Sequence, residues 1–295
     1  MEISRLSQRF LLGDGESRLL GVFGDPIAHS LSPTIHNLSL AYLDLNFRYL
    51  PFHVRPKDLQ EALFGFRALG GVGFNATVPH KEPLLPLMNH LDPAAEKIGA
   101  VNTVVIEAGG DLVGYNTDAY GFITALREKH TDDLAGKTIL VLGAGGACRA
   151  VLVALLDGGA EHILLANRTL SRAENLAALF TRYYPHADIR PIPLLFSDLP
   201  LAKVDMVVNT TSLGLKGAEA FPLAVEALQE QTLIYDIVYS ANKTPLQKLA
   251  LAHNLPFVDG LGMLIHQAAR AFQIWTGHLM PVDEVKKELF GAGSS

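Results

Sequence analysis

Two serines with hydroxyl groups suited to holding a carboxylate follow the first apolar run of the chain. They are Ser30 and Ser32, and Pro33 comes directly after them. Because a proline favours extended geometry at the residue before it, both hydroxyls can face the same way. Pro33 also suits the first position of a helix and Ser32 suits its N-cap, and a capping hydroxyl can still donate to a ligand. We therefore expect this pair to bind a carboxylate, and Ser32 to cap the helix as well.

Further polar side chains follow the ends of later predicted strands. Asn75 and Thr77 lie two residues apart on one strand face, and Lys81 comes shortly after them. Asn102 and Asp118 stand close to the ends of two more strands. Each of these residues fits an ordinary turn or cap when it is taken alone. Together they predict a site for a small polyhydroxylated molecule.

A glycine-rich loop directly follows the apolar run at 138–142 and precedes a predicted helix. Glycines in such a loop permit a tight turn and a close approach of a pyrophosphate to backbone N–H groups, and the helix N-terminus attracts the phosphate charge. The alternative is a plain glycine-rich turn. We assign cofactor contacts to the residues of this loop, which are Gly143, Ala144, Gly145, Gly146 and Ala147.

The end of the next predicted strand indicates which dinucleotide binds. An NAD site usually has a carboxylate there, which binds the ribose 2′-hydroxyl. Here the strand ends in Asn167, and Arg168, Thr169 and Arg172 follow. No carboxylate repels a 2′-phosphate, and two guanidinium groups can pair with it. We therefore expect NADP, with solvated loop arginines as the alternative.

The composition excludes several classes of protein. The 295 residues carry a net charge of -6 and no long basic run, so we expect no nucleic-acid partner. The most apolar stretch, at 138–160, contains Arg149, Asp157 and several glycines, which argues against a membrane span. The first 21 residues lack a signal-peptide pattern, so a cytoplasmic protein is expected. Cys148 is the single cysteine and no zinc-type histidine spacing occurs, so we expect no metal.

Short apolar runs alternate with amphipathic stretches, which is typical of an α/β fold with a mostly parallel sheet. The patterns predict strands at 19–23, 46–52, 73–77, 102–107, 138–142, 162–167, 206–209, 232–236 and 256–259. They predict helices at 34–43, 56–69, 119–129, 147–157, 171–183, 245–253 and 262–276. A boundary falls near residues 114–118, where a Rossmann-like series begins. We expect two domains with a ligand cleft between them.

The chain resembles the shikimate dehydrogenases, NADP-dependent enzymes that reduce 3-dehydroshikimate in aromatic amino-acid synthesis. The resemblance covers about residues 21–277. It rests on the serine pair, the segment 75–81, Asn102, Asp118, the glycine loop, and the segments 167–169, 209–214, 235–239 and 259–267. It implies a substrate domain at 1–117, completed by C-terminal helices at 260–295, and a Rossmann-type NADP domain at 118–259.

The resemblance also implies a role for individual residues. Lys81 and Asp118 are the catalytic pair, and Ser30, Ser32 and Tyr239 bind the carboxylate side of the substrate. The ring hydroxyls and the reacting carbonyl contact Thr77, Asn102, Asp118 and Gln267, and Asn75 belongs to the same substrate site. The residues implied around NADP are the glycine loop, Asn167, Arg168, Thr169, Arg172, Ile237, Gly260 and Met263.

Two alternatives from different classes remain open. A quinate or dual quinate/shikimate dehydrogenase, using NAD or NADP, is the closer one. Quinate enzymes of this family tend to alter the second serine of the pair, whereas Ser32 is present here. A catalytically inactive ligand sensor is the more distant alternative, and the presence of both Lys81 and Asp118 argues against it. The expected assembly is a monomer or a homodimer.

Overall fold

The computed structural model describes residues 13–130, 133–214, 220–240 and 242–291. The chain divides into two compact units. The first unit consists of residues 1–117 and 265–295, and the second consists of residues 118–264. The described residues form nine α-helices: α1 (Ser32–Tyr42), α2 (Leu59–Ala68), α3 (Pro93–Ile98), α4 (Asp118–Lys129), α5 (Gly146–Asp157), α6 (Leu170–Tyr183), α7 (Pro245–Ala252), α8 (Gly260–Thr276) and α9 (Val282–Phe290).

The first unit is built on a six-stranded mixed sheet with the order β2-β1-β3-β5-β6-β4. β1 runs parallel to β2 and β3, whereas β5 is antiparallel to both β3 and β6. Its strands are β1 (Arg18–Gly24), β2 (Phe47–His53), β3 (Gly71–Ala76), β4 (His90–Leu91), β5 (Thr103–Ile106) and β6 (Leu112–Tyr115). Because β5 and β6 are joined as a hairpin, this sheet is mixed, unlike the sheet of the second unit.

The C-terminal part of α8 packs on this sheet through Trp275. The indole N–H of Trp275 donates to the backbone carbonyl of Val104 at 2.9 Å. The ring lies directly over Gly73, where an added Cβ would collide with the indole nitrogen and would come within 2.6 Å of the Val104 oxygen. Only glycine leaves room for the ring at this position. Because Gly73 has no side chain, Trp275 of α8 can pack on the first unit's sheet, although the two residues are far apart in sequence.

The second unit contains a six-stranded parallel sheet. Its strands are β7 (Thr138–Leu142), β8 (His162–Asn167), β9 (Asp188–Pro193), β10 (Met206–Asn209), β11 (Leu233–Asp236) and β12 (Phe257–Val258). The order β12-β11-β10-β7-β8-β9 is that of a Rossmann fold, with the reversal of strand order at β7. In this architecture a dinucleotide binds at the carboxyl ends of the strands next to the reversal. The glycine loop leaves the carboxyl end of β7.

All the strands and helices predicted from the sequence occur, with bounds that shift by three residues or fewer. Three strands (β4, β6 and β9) and two helices (α3 and α9) were not predicted. α3 is a short helix with clear local signals: the Asp92 side chain accepts a hydrogen bond from the Ala94 N–H at 2.9 Å, and Gly99 ends the helix with φ 68°. Its length of six residues is too short to show an amphipathic period.

Candidate functional site

The carboxyl ends of β1 and β3 bring two candidate substrate segments together. The backbone N–H of Asp25 donates to the carbonyl of Val78 at 3.1 Å. A Cβ added to Gly24 would approach the methyl carbon of Thr77 at 2.5 Å, so Thr77 packs directly on the backbone after β1. The loop that leads to Ser30 therefore lies against the segment that follows β3.

The structure places the start of α1 differently from what the serine pair predicts. α1 begins at Ser32 and its N-cap is Leu31, and within the described residues no side chain caps this helix. Leu31 already has helical geometry, with φ −83° and ψ −10°, and its carbonyl accepts from the Ile35 N–H at 3.0 Å. The hydroxyl of Ser30 accepts from the Ser32 N–H at 3.3 Å. The expectation that Ser32 caps the helix is therefore wrong, because the helix starts one residue earlier.

Asn75 and Asn102 lie at the centre of a buried hydrogen-bond network. The Asn75 amide nitrogen donates to the Asn102 carbonyl at 3.1 Å and to the Thr103 hydroxyl at 2.9 Å. The Asn102 Oδ1 accepts from the Thr103 hydroxyl at 2.8 Å and from the Thr117 N–H at 2.9 Å. The Asn102 amide nitrogen donates to the Thr117 hydroxyl at 3.0 Å, and that hydroxyl donates to Gln267 Oε1 at 3.5 Å. Side chains from β3, β5 and α8 thus form one connected network.

The two predicted catalytic residues belong to different units. Lys81 is half-buried in the first unit, and its carbonyl accepts from the Val101 N–H at 2.8 Å, next to Asn102. Asp118 is the first residue of α4 in the second unit and is 4% exposed. The two residues therefore stand on elements that the chain builds separately.

The glycine loop has the backbone that a close phosphate contact requires. Gly143 has φ 109°, and an added Cβ would lie 2.7 Å from the hydroxyl oxygen of Thr210. Gly145 is the N-cap of α5, and among the described residues nothing lies within 4 Å of where its Cβ would be. The free N–H groups of the first turn of α5 follow directly. The residues of this loop therefore fit a dinucleotide pyrophosphate.

Cys148, in the first turn of α5, has a packing role. Its side chain is fully buried, and burial raises the pKa of the thiol to about 12. The thiol is therefore neutral at physiological pH, and a neutral buried thiol is a poor nucleophile.

The end of β8 presents two cations. The Asn167 amide nitrogen donates to the Thr169 carbonyl at 2.8 Å, which holds the turn between β8 and α6. Arg168 and Arg172 are exposed on either side of Thr169. Both exposed guanidinium groups can therefore pair with a bound anion.

A buried carboxylate organises the end of β11. Asp236 accepts from the Thr244 hydroxyl at 2.7 Å, from the Asn209 amide at 2.9 Å and from the Val238 N–H at 3.1 Å. Burial raises the pKa of Asp236, and these hydrogen bonds oppose the shift. The carboxylate thus joins the ends of β10 and β11 to the N-cap of α7, and it holds the segment that continues to Tyr239.

The remaining predicted residues follow this segment or begin α8. Gly260 lies against the backbone of Ile237, and an added Cβ would collide with the Ile237 carbonyl. Met263 is buried one turn further along α8. Tyr239 is half-buried, and burial raises the pKa of its phenol, so it is a neutral hydrogen-bonding group. The structure brings Ile237 and Gly260 together within the second unit.

No cluster of three or more metal-ligating side chains occurs among the residues that the structure describes. None of the described helices is long and apolar enough to cross a membrane.

Three family models match the chain. They are the shikimate dehydrogenase substrate binding domain over residues 22–104, shikimate/quinate 5-dehydrogenase over 125–239, and the shikimate 5′-dehydrogenase C-terminal domain over 260–290. The NADP(+)-dependent shikimate dehydrogenase of Magnetococcus marinus is 48% identical over 276 residues, which cover 94% of this chain and 96% of that relative. The chain belongs to the shikimate dehydrogenase family.

Solved structures agree with this assignment. A shikimate dehydrogenase from Aquifex aeolicus has a TM-score of 0.85 and 38% identity, and the match covers 94% of this chain and 99% of that one. A shikimate 5-dehydrogenase from Listeria monocytogenes, in complex with shikimate and NAD, has a TM-score of 0.85 and 34% identity over 94% and 98%. The predicted family, the two-domain α/β fold with a Rossmann-type domain, and NADP as the cofactor are confirmed.

Sequence reasoning missed the residues that orient the predicted substrate contacts. Thr103 and Thr117 connect the amides described above, and Tyr49 of β2 donates to Asn75 Oδ1 at 2.7 Å. A usable signal was present, since a tyrosine in an apolar strand needs a partner for its hydroxyl. The identity of that partner depends on which strands are neighbours, and this is a property of the fold.

Proposed function

We propose that this member of the shikimate dehydrogenase family catalyses the reversible NADPH-dependent reduction of 3-dehydroshikimate to shikimate. One observation carries the proposal: the part of the chain that matches a shikimate dehydrogenase substrate binding domain gathers hydroxyl and amide groups at the carboxyl ends of β1 and β3 and the amino end of β5. Such groups suit a small molecule with one carboxylate and several hydroxyls. In this proposal Ser30 and Ser32 bind the carboxylate, whereas Thr77, Asn102 and Gln267 bind the ring oxygens.

The residues of the second unit support NADP binding. The glycine loop and the N-terminus of α5 would hold the pyrophosphate, and Arg168 with Arg172 would pair with the 2′-phosphate. Ile237, Gly260 and Met263 would border the nicotinamide end. NADPH, when bound, supplies the hydride for the reduction.

We propose that Lys81 donates the proton to the substrate oxygen during the reduction. As the substrate carbon becomes reduced, negative charge develops on its oxygen, and an ammonium group stabilises that charge and can donate the proton. Asp118, the second predicted catalytic residue, would accept a hydrogen bond from a ring hydroxyl. In the reverse direction the deprotonated amine of Lys81 accepts the proton of the alcohol, so a rising pH favours oxidation.

Initial rates with purified protein test the proposal. We expect oxidation of shikimate with NADP+ to exceed oxidation of quinate with either NAD+ or NADP+. Faster turnover of quinate would instead favour a quinate dehydrogenase. Binding of shikimate without turnover of any substrate pair would favour a ligand sensor and would refute the enzymatic proposal.

We also propose a cytoplasmic location and a monomer or homodimer. The buried state of the single cysteine, Cys148, suits a reducing compartment. Light scattering coupled to gel filtration measures the assembly, and a mass above that of two chains would contradict this part of the proposal.

A further inference from the structure

A groove opens on the first unit between α1 and α9. It encloses a cavity of about 150 Å³, which is lined by Leu38 and Tyr42 of α1 and by Pro281, Glu284, Val285 and Glu288 at α9. The Tyr42 hydroxyl donates to Glu284 Oε1 at 3.4 Å, so the two helices are neighbours here, and the Tyr42 side chain is 48% exposed. An apolar cavity of this volume can hold a benzene ring. The groove is therefore large enough to receive one aromatic side chain.

The described part of the chain begins close to this groove. Its first residue is Gly13, and the next residue, Asp14, accepts a hydrogen bond from the Asn46 amide at 2.8 Å. Asn46 comes four residues after Tyr42, which lines the groove. Four residues span at most about 14 Å even when they are fully extended. Residues 1–12, which we call the N-terminal segment, are thus joined to the fold within reach of the groove.

The N-terminal segment has a sequence pattern of its own. Ile3, Leu6 and Phe10 follow one another at spacings of three and four residues, which predicts an amphipathic helix with these side chains on one face. Arg5 and Arg9 are four residues apart, so a helix places them in one row beside that face. The family model of the substrate domain begins at residue 22. The pattern therefore belongs to a part of the chain that this model does not cover.

The groove matches the segment in charge and in spacing. Glu284 and Glu288 are exposed and lie four residues apart on α9, which is the spacing of the two arginines in the segment. Lys287 lines the groove as well, so carboxylates exceed ammonium groups there. In the segment the arginines exceed the one carboxylate, Glu2. Two rows of opposite charge with the same repeat can pair when two helices pack side by side.

We propose that the N-terminal segment of this chain binds in the groove between α1 and α9. In this arrangement the ring of Phe10 fills the cavity, and the two arginines pair with the two glutamates of α9. A tethered segment has an effective concentration on the order of millimolar, so one ring and two exposed ion pairs are enough to keep it bound. The inference does not depend on the proposed enzymatic function, because no residue of the substrate or NADP site takes part.

Thiol reactivity in the full-length protein measures this binding. Cys148 is fully buried, so a cysteine introduced into the segment is the readily accessible thiol. Leu6→Cys places a thiol on the apolar face of the predicted helix, and Gln8→Cys places one on the polar face. We expect iodoacetamide to modify Leu6→Cys at least about tenfold more slowly than Gln8→Cys, because the bound apolar face is closed to solvent. Equal rates would overturn the proposal.

A change of charge in the groove tests where the segment binds. In the Leu6→Cys background, Glu284→Lys combined with Glu288→Lys replaces attraction by repulsion and should raise the modification rate at least about threefold. Glu61→Lys combined with Glu230→Lys is the matched control, since both residues are exposed and neither lines the groove. This control should leave the rate unchanged. Equal rises in both variants, or no rise in the groove variant, would overturn the proposal.

Two further readouts separate binding within one chain from the alternatives. Melting curves and kcat should stay close to wild type in the groove variant, which shows that a faster modification does not come from unfolding. The Leu6→Cys rate should not depend on protein concentration, because the segment and the groove belong to the same chain. A rate that rises on dilution, together with a dimer mass in light scattering, would assign the groove to a second copy and would overturn the proposal.

Discussion

A buried histidine should make the stability of the first unit depend on pH. His36 of α1 is 0% exposed and contacts the rings of both Tyr49 and Trp275. Burial lowers its pKa from 6.5 to about 3, and the neighbouring Asn75 side chain opposes this shift in part. The folded protein therefore keeps the ring neutral under conditions in which the unfolded chain protonates it.

The sign and size of the effect follow from this difference. Below the unfolded pKa of 6.5 the unfolded chain binds one more proton than the folded one, so stability falls as pH falls, until the folded pKa of about 3 is reached. The slope is about 1.4 kcal/mol per pH unit once the unfolded histidine is fully protonated. From about pH 8 to about pH 5, this one group should cost the folded state about 2 kcal/mol.

The substitution His36→Phe removes the titration and keeps an aromatic ring against Tyr49. When the pH falls over this interval, the unfolding free energy of wild type should decrease. That of His36→Phe should decrease by about 2 kcal/mol less. Urea unfolding followed by the fluorescence of Trp275, the single tryptophan, reports on the first unit. His186→Gln, at an exposed histidine, is the control and should keep the wild-type slope. Equal losses in wild type and His36→Phe would refute the reasoning.

Four further variants test the site and the fold. Lys81→Ala should lower kcat by at least about 100-fold, with an unchanged melting curve and a similar KM for shikimate, and retention of a tenth of the activity would contradict its role. Ser32→Ala should raise the KM for shikimate at least about tenfold without the stability cost of a lost N-cap, since Ser32 does not cap α1. Arg168→Asp should raise the KM for NADP+ by at least about tenfold and leave NAD+ nearly unaffected, whereas equal effects would exclude a 2′-phosphate contact. Gly73→Ala should destabilise the protein by about 1–3 kcal/mol in urea unfolding, because Trp275 fills the space; an unchanged midpoint would contradict that packing.

The sequence predicted the elements whose two faces are buried. β7 and β8 have the predicted bounds, 138–142 and 162–167, because a parallel strand covered on both sides reads as one apolar run. β9 was not predicted. It lies at the edge of the sheet, contains Pro191 and Pro193, and is largely uncovered, so its residues carry little apolar pattern.

In the candidate site, the sequence identifies some residues but does not determine how their side chains are oriented. Residues in distinctive local patterns, such as Ser30 beside Ser32 or the glycines after β7, can be named from the sequence. The orientation of the Asn75 and Asn102 amides cannot be named in this way, because it depends on the Asn102 carbonyl and the Thr117 N–H, which the fold brings next to them. The error over Ser32 has a local cause: Leu31 takes up helical geometry, which moves the start of α1 by one residue.

The position of Trp275 over Gly73 has a consequence for synthesis on the ribosome. The second unit is one continuous stretch, 118–264, whereas the first unit needs residues from 265 onward. Domains usually fold from the N-terminus as the chain emerges. Here the inserted unit can fold first, while the sheet of the earlier residues waits for α8. A nascent chain stalled before Trp275 would expose the apolar surface around Gly73 to chaperones, although all six strands of that sheet have already been translated.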